Sequence, residues 1–151
     1  MKTRIINSFR IQIPAKSRNE AFSRALISAF ICQLDPTVEE LCDIKTAVSE
    51  AVTNSIVHAY SDDYPQKKRI IKIEAFYDEQ KLLTVKVRDY GCGIEDVKRA
   101  LEPLYTTGGE DRSGMGFSIM ESFTDFMSVN SAPAKGTTVI LKKYIGKNDN
   151  D

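Results

Sequence analysis

Glu50, Asn54 and His58 stand at positions i, i+4 and i+8. On a helix that spacing stacks three polar heads along one edge, one per turn. An acid, an amide and an imidazole in that order suit a carboxylate base beside a carbonyl oxygen that binds a metal. A plain solvated face would favour Lys or Glu, because Asn and His are poorer helix formers. Asp89 closes the run Leu83, Val85, Val87, Asp89, whose alternation puts all four on one strand face, the inward one. A carboxylate at the end of a buried row is costly unless it is paired or hydrogen-bonded. Gly91 and Gly93 follow at once, and two glycines let the backbone approach a flat ligand closely. An inward carboxylate can accept from an amino group such as the exocyclic amine of adenine; a tight turn capped by Asp is the plain alternative.

A third stretch contains Thr106, Thr107, Gly108, Gly109, Arg112, Ser113, Gly114, Met115 and Gly116, ahead of an apolar segment from Phe117 to Phe123. Successive backbone N–H groups at a helix N-terminus favour phosphate. Arg112 offers a guanidinium for a terminal phosphate. Gly109 and Gly114 match G-x-x-x-x-G, but Met115 and Gly116 stand where a P-loop needs Lys and then Ser or Thr, which excludes a P-loop.

These residues need elements to position them. Phe9, Ile11 and Ile13 alternate with Arg10 and Gln12 as a half-buried strand ended by Pro14. Ser17 or Asn19 starts a helix running to about Gln33, with Ala21, Phe22, Ala25, Leu26, Ala29 and Phe30 as its expected core stripe. A second helix opens either on Asp35 with Pro36 or on a Thr37–Glu40 capping box. Val38, Leu41, Ile44, Val48, Val52, Ile56 and Ala59 form its apolar face. Strands over 71–75 and 83–87 form a hairpin across Tyr77 to Lys81, and two more, over 126–130 and 137–144, close the chain around Pro133 and Gly136. Three helices and about five strands predict an α+β sandwich, one mixed β-sheet with helices packed on one face.

The chain has 151 residues, enough for one core, with 21 basic and 21 acidic side chains. That balance gives no general attraction for nucleic acid, and Gln66 to Arg69 reads as a solvated basic loop. No apolar stretch reaches the ~18 residues of a membrane span, and no signal core precedes the first strand. A cytoplasmic location is expected. Cys32, Cys42 and Cys92 make neither a zinc pattern nor a disulfide framework and are expected as buried free thiols.

The order of these features resembles the GHKL ATPase superfamily. Its N-box resembles Glu50 to Asn54 with His58-Ala59-Tyr60, and its glycine boxes resemble Asp89 to Gly93 and Gly114 to Phe117. Its final box resembles Gly136-Thr137-Thr138. More narrowly, residues 33–37, 48–54 and 112–117 resemble the sporulation anti-sigma factor family of endospore-forming bacteria. The resemblance implies a single GHKL ATP-binding kinase domain over residues 1–146 and a disordered tail over 147–151. It implies Mg2+ on Asn54, Glu50 as the base that takes the proton of a substrate serine, and Asp89 on the adenine amine with Thr137 assisting. Gly91, Gly93, Gly114 and Gly116 would shape the pocket and its lid, and Arg112 would contact the terminal phosphate of ATP. Implied partners are a sigma F-like sigma factor and an anti-anti-sigma factor that is the phosphorylation substrate. A homodimer is implied too, whose face would grip the partners through the first helix and its Arg24.

An ATP-binding anti-sigma module without phosphotransfer is the alternative; it would need Asn54 and Asp89 but not Glu50. A detached histidine-kinase domain fits less well, since the one histidine, His58, sits inside the N-box. A gyrase-like motor would need a further domain.

Overall fold

The computed structural model describes residues 3–102 and 116–146. Thr106, Thr107, Arg112, Ser113, Gly114 and Met115, together with the tail 147–151, lie outside the described residues.

Five strands, β1 (Ile5–Pro14), β2 (Ile70–Asp78), β3 (Leu82–Asp89), β4 (Phe126–Ser131) and β5 (Thr137–Tyr144), form one sheet in the order β1-β2-β3-β5-β4. Where the sequence suggests mixed pairing, each of the four pairings is antiparallel. The reason is local for two of them: β2 to β3 and β4 to β5 are short hairpins, with Lys81 and Ala134 at positive φ in their turns. Register places Ile11, Ile73, Val87, Val139 and Val129 in one row across all five strands. Ile13, Ile71 and Asp89 form the next row.

The helices are α1 (Arg18–Ile31), α2 (Val38–Asn54), the single turn α3 (Val97–Ala100) and α4 (Gly116–Ser122). α3 is not legible in the sequence; Asp96 caps it by accepting from the Arg99 N–H at 3.1 Å. α2 is the central helix, packed against α1 on one side and α4 on the other. Of the two possible starts for α2 the capping box forms: Thr37 Oγ1 accepts from the Glu40 N–H at 3.1 Å, and Glu40 Oε1 accepts from the Thr37 N–H at 2.8 Å. Asp35 instead takes a left-handed conformation at the end of the 3-10 turn Cys32–Leu34. Glu40 also accepts from the Gly146 N–H, at 3.1 Å, and so ties the far end of the sheet to the start of α2.

Ile44, Ala47, Val48, Ala51 and Val52 line the buried face of α2. A fully buried Val or Ile contributes about 1.5–3 kcal/mol of transfer free energy. Val38, expected in this stripe, is 79% exposed because it sits on the first turn, beyond the sheet. The expected α1 stripe also needs correction. Ser23, Ile27, Phe30 and Ile31 are buried, whereas Ala21, Phe22, Ala25 and Ala29 are exposed. Ile27 and Ile31 remove more apolar area from water than alanines would, so they decide which face turns inward. Ser23 tolerates burial because its hydroxyl donates to the Asn19 carbonyl at 2.6 Å. The three cysteines are free as expected, but all three are exposed. Among the described residues, no helix is long and apolar enough to cross a membrane.

Candidate functional site

After Asn54 the chain leaves α geometry for one π turn, Ser55–Ala59. Such wider turns recur at functional sites. Here the turn carries Ser55 and Ala59 inward while His58 stays half-buried. Glu50 and Asn54 keep their one-turn spacing, and their heads meet the N-terminus of α4. A Cβ built on Gly116 would lie 3.4 Å from Glu50 Oε2, 3.4 Å from Asn54 Oδ1 and 3.3 Å from Asn54 Nδ2. Glycine at 116 therefore lets a helix start press directly over the acid and the amide.

Across from α2, Asp89 ends the inward row of β3, 4% exposed. Three donors hold it. Oδ2 accepts from the Ser55 hydroxyl at 3.0 Å, and Oδ1 accepts from the N–H groups of Gly91 at 3.1 Å and Thr137 at 3.2 Å. Burial pushes this carboxyl above the ordinary carboxylate range, partly offset by those three donors. Gly91 is required where it stands: a Cβ there would overlap the Ala59 carbonyl, which accepts from the neighbouring Cys92 N–H at 2.7 Å. That bond sews the glycine box to the π turn. Tyr60 adds a second stitch, its hydroxyl donating to the Ile70 carbonyl at 2.5 Å and accepting from the Tyr90 N–H at 2.9 Å. Burial raises the Tyr60 pKa, so it stays a neutral phenol.

Between these walls lies a cleft of about 730 Å³, in the usual range for a small-molecule site. Asn54, Ser55 and His58 line one side, Asp89, Gly93 and Thr137 the other, with Gly116 at one end and Arg99 of α3 at another. Of the site residues expected from sequence, the fold brings together Glu50, Asn54, Asp89, Gly91, Gly93, Gly116 and Thr137. Arg24 lies apart on α1, where its guanidinium pairs with Glu20 at 2.9 Å with the side chain 44% exposed; Glu20 also accepts from the Ser49 hydroxyl. Sequence reasoning misses Ser55, Arg99 and Ser131, and it places Tyr60 in the N-box without giving it a role. Ser131 bridges the Ile94 N–H and the Gly136 carbonyl at 2.8 and 2.9 Å. An inward Asp89 demands a buried donor, but nothing in the sequence singles out Ser55 for that part.

A cleft bounded by a helix bearing acid and amide, and by a strand ending in a buried aspartate, defines an ATP-binding domain of the kinase-like kind. The family model described as histidine kinase-like ATPase domain matches residues 13–143. A protein of Caldanaerobacter subterraneus subsp. tengcongensis named anti-sigma F factor is 52% identical over 143 residues, covering 94% of this chain and 96% of that one. One of the same name from Clostridium perfringens is 52% identical over 138 residues, covering 91% and 96%. The chain belongs to the anti-sigma F factor family of histidine kinase-like ATPases. In fold it is similar to the Mycobacterium tuberculosis structure of RsbU and RsbW domains, with a TM-score of 0.69 at 19% identity, covering 95% of this chain and 34% of that one. It is also similar to a chain of the Pseudomonas aeruginosa SiaB-SiaC complex, with a TM-score of 0.61 at 12% identity, covering 93% and 91%.

Proposed function

We propose that this chain is an anti-sigma factor that binds a sporulation sigma factor and, with Mg-ATP, phosphorylates a serine of an anti-anti-sigma factor. The observation that supports it most is the meeting of the Glu50 carboxylate and the Asn54 amide at the start of α4, with Asn54 lining a cleft that Asp89 also lines. An acid at position 50 is not needed to hold a nucleotide. It is needed to take the proton of an attacking hydroxyl, which contributes ~10²–10⁴-fold in rate.

In this reading Asp89 accepts from the adenine amine, with Thr137 beside it, and Gly91 and Gly93 let the base lie against the backbone. Asn54 presents its carbonyl oxygen to magnesium. The donor set fits that ion: Asn54 brings an uncharged oxygen to the cleft, and Mg2+ at a nucleotide commonly takes few protein oxygens and completes its shell with phosphate and water. When bound, the ion neutralises phosphate charge. Thr106, Thr107, Arg112, Ser113, Gly114 and Met115 belong to the phosphate side, Arg112 against the terminal phosphate. The chain acts as a homodimer built of one domain over residues 1–146, and Arg24 contacts its partners.

The test is to incubate the protein with labelled ATP, magnesium and a cognate anti-anti-sigma protein and look for phosphoserine. Glu50→Gln should bind ATP nearly as the parent does and transfer phosphate ~10²–10⁴-fold more slowly. Phosphoserine formed at the parental rate would remove Glu50 from the role of base; no phosphoserine in the parent would leave a nucleotide-holding anti-sigma module.

A further inference from the structure

The sheet face turned away from the helices carries a second concavity, remote in role from the nucleotide cleft. Arg10, Lys72, Lys86 and Arg88 line it, together with Tyr90 and with Glu74 as its one carboxylate. Arg10 pairs with Glu74 at 3.5 Å, which leaves Lys72, Lys86 and Arg88 without an ion-pair partner among the described residues. Lys72 and Arg88 stand directly opposite each other in the β2–β3 register, and like charges so placed destabilise a sheet. Both lie over the same ring, Lys72 Nζ 5.5 Å and Arg88 Cζ 4.7 Å from the Tyr90 centroid. Lys86 Nζ lies 5.7 Å from the Phe76 centroid. Cation–π contacts steady the cations but do not neutralise them. The chain as a whole is neutral, so this local excess is a property of the face.

We infer that this face docks an acidic, extended segment of a partner protein, with Glu or Asp at alternate positions. Lys86 and Arg88 are two residues apart on one strand, about 6.6–6.8 Å, which is also the repeat of alternate side chains in an extended peptide. Lys72 flanks that pair from the next strand. Carboxylates suit the arrangement better than single-stranded nucleic acid. Nucleic acid binds through open aromatic faces on which bases stack, and here cations sit over both the Tyr90 and the Phe76 ring.

The intact protein can be titrated with three probes: a synthetic peptide of alternating Glu and Thr, the same peptide with Gln for Glu, and a thymidine oligonucleotide of equal charge. Amide shifts give the site of binding and its affinity. The Glu peptide should shift residues of β2 and β3 around Lys72, Lys86, Arg88 and Tyr90; the Gln peptide should not. The double variant Lys72→Gln/Arg88→Gln should weaken binding at least about tenfold, the loss of two charge-assisted contacts. Because it relieves the opposed charges, it should melt no lower than the parent, and its ATP affinity should be unchanged. Shifts centred on Lys67 and Lys68 instead, equal affinity in the double variant, or tighter binding of the oligonucleotide than of the Glu peptide would each overturn the inference.

Discussion

In the proposed reading Asp89 accepts a hydrogen bond from adenine, yet it is buried, and burial favours its protonated form. The folded protein therefore holds this proton more tightly than the unfolded chain. The stability that the protonated group contributes is fully present below the ordinary carboxylate pKa and is lost as pH rises through the raised folded value. Adenine recognition has the opposite sense: it needs the carboxylate, so ATP affinity should fall as pH drops through that raised value. Ser55, a donor to Oδ2, holds the pKa down. Ser55→Ala should move the acid limb of ATP binding to higher pH and alter neutral-pH affinity less than Asp89→Asn, which should cost roughly tenfold or more through a mismatched buried bond. Calorimetry across pH decides; superimposable profiles for parent and Ser55→Ala would show that the hydroxyl does not tune the acid. Asp89 was readable because a carboxylate closing an apolar row is an anomaly. Ser55 was not, because one serine within a helical pattern carries no sign of which way the helix turns, and the π turn that aims it inward leaves no mark in periodicity.

At the level of elements, the start of α2 is held by a residue with two duties. Glu40 accepts from Thr37 to complete the capping box and from Gly146 to anchor the end of the chain's last strand. Thr37→Ala removes one half of the box and should cost about 1 kcal/mol, a shift of ~2–4 °C in Tm for a domain of this size. Glu40→Ala should cost more, because the Gly146 N–H also loses its acceptor; differential scanning calorimetry on both variants checks the ranking. The long elements were legible: α2 and β5 from their periodicity, β2 and β3 from alternation around a hairpin. α1 existed as expected and buries Phe30 of its expected stripe, but Ala21, Phe22, Ala25 and Ala29 turned outward. Its alanines and phenylalanines matched a helical stripe as well as Ile27 and Ile31 did, and the choice between stripes is made by the partner surface, which a sequence pattern does not contain. α3 spans four residues, too few for any period to register.

The exposed side of α1 is the surface proposed for partners. Arg24 sits there beside the exposed Phe22 and Ala25, its guanidinium already oriented by Glu20. Arg24→Glu should weaken binding of both the sigma factor and the anti-anti-sigma protein, measured by surface plasmon resonance, with ATP affinity unchanged. It places two acids one turn apart, a cost of a few tenths of a kcal/mol in the helix, so a melting curve must accompany the binding data. Undiminished affinity for both partners would return Arg24 to ordinary surface. The strand order has its own consequence. Asp89 and Thr137 belong to β3 and β5, which are neighbours and are each bonded on both sides, while β1 and β4 are the sheet's edges. In deuterium exchange the amides of β3 and β5 should be the last to label, close to the global opening limit, whereas the exposed start of β1, Ile5 to Ser8, should label early. The adenine side of the site would then remain assembled through every partial opening of the molecule and be lost only when the whole fold is lost.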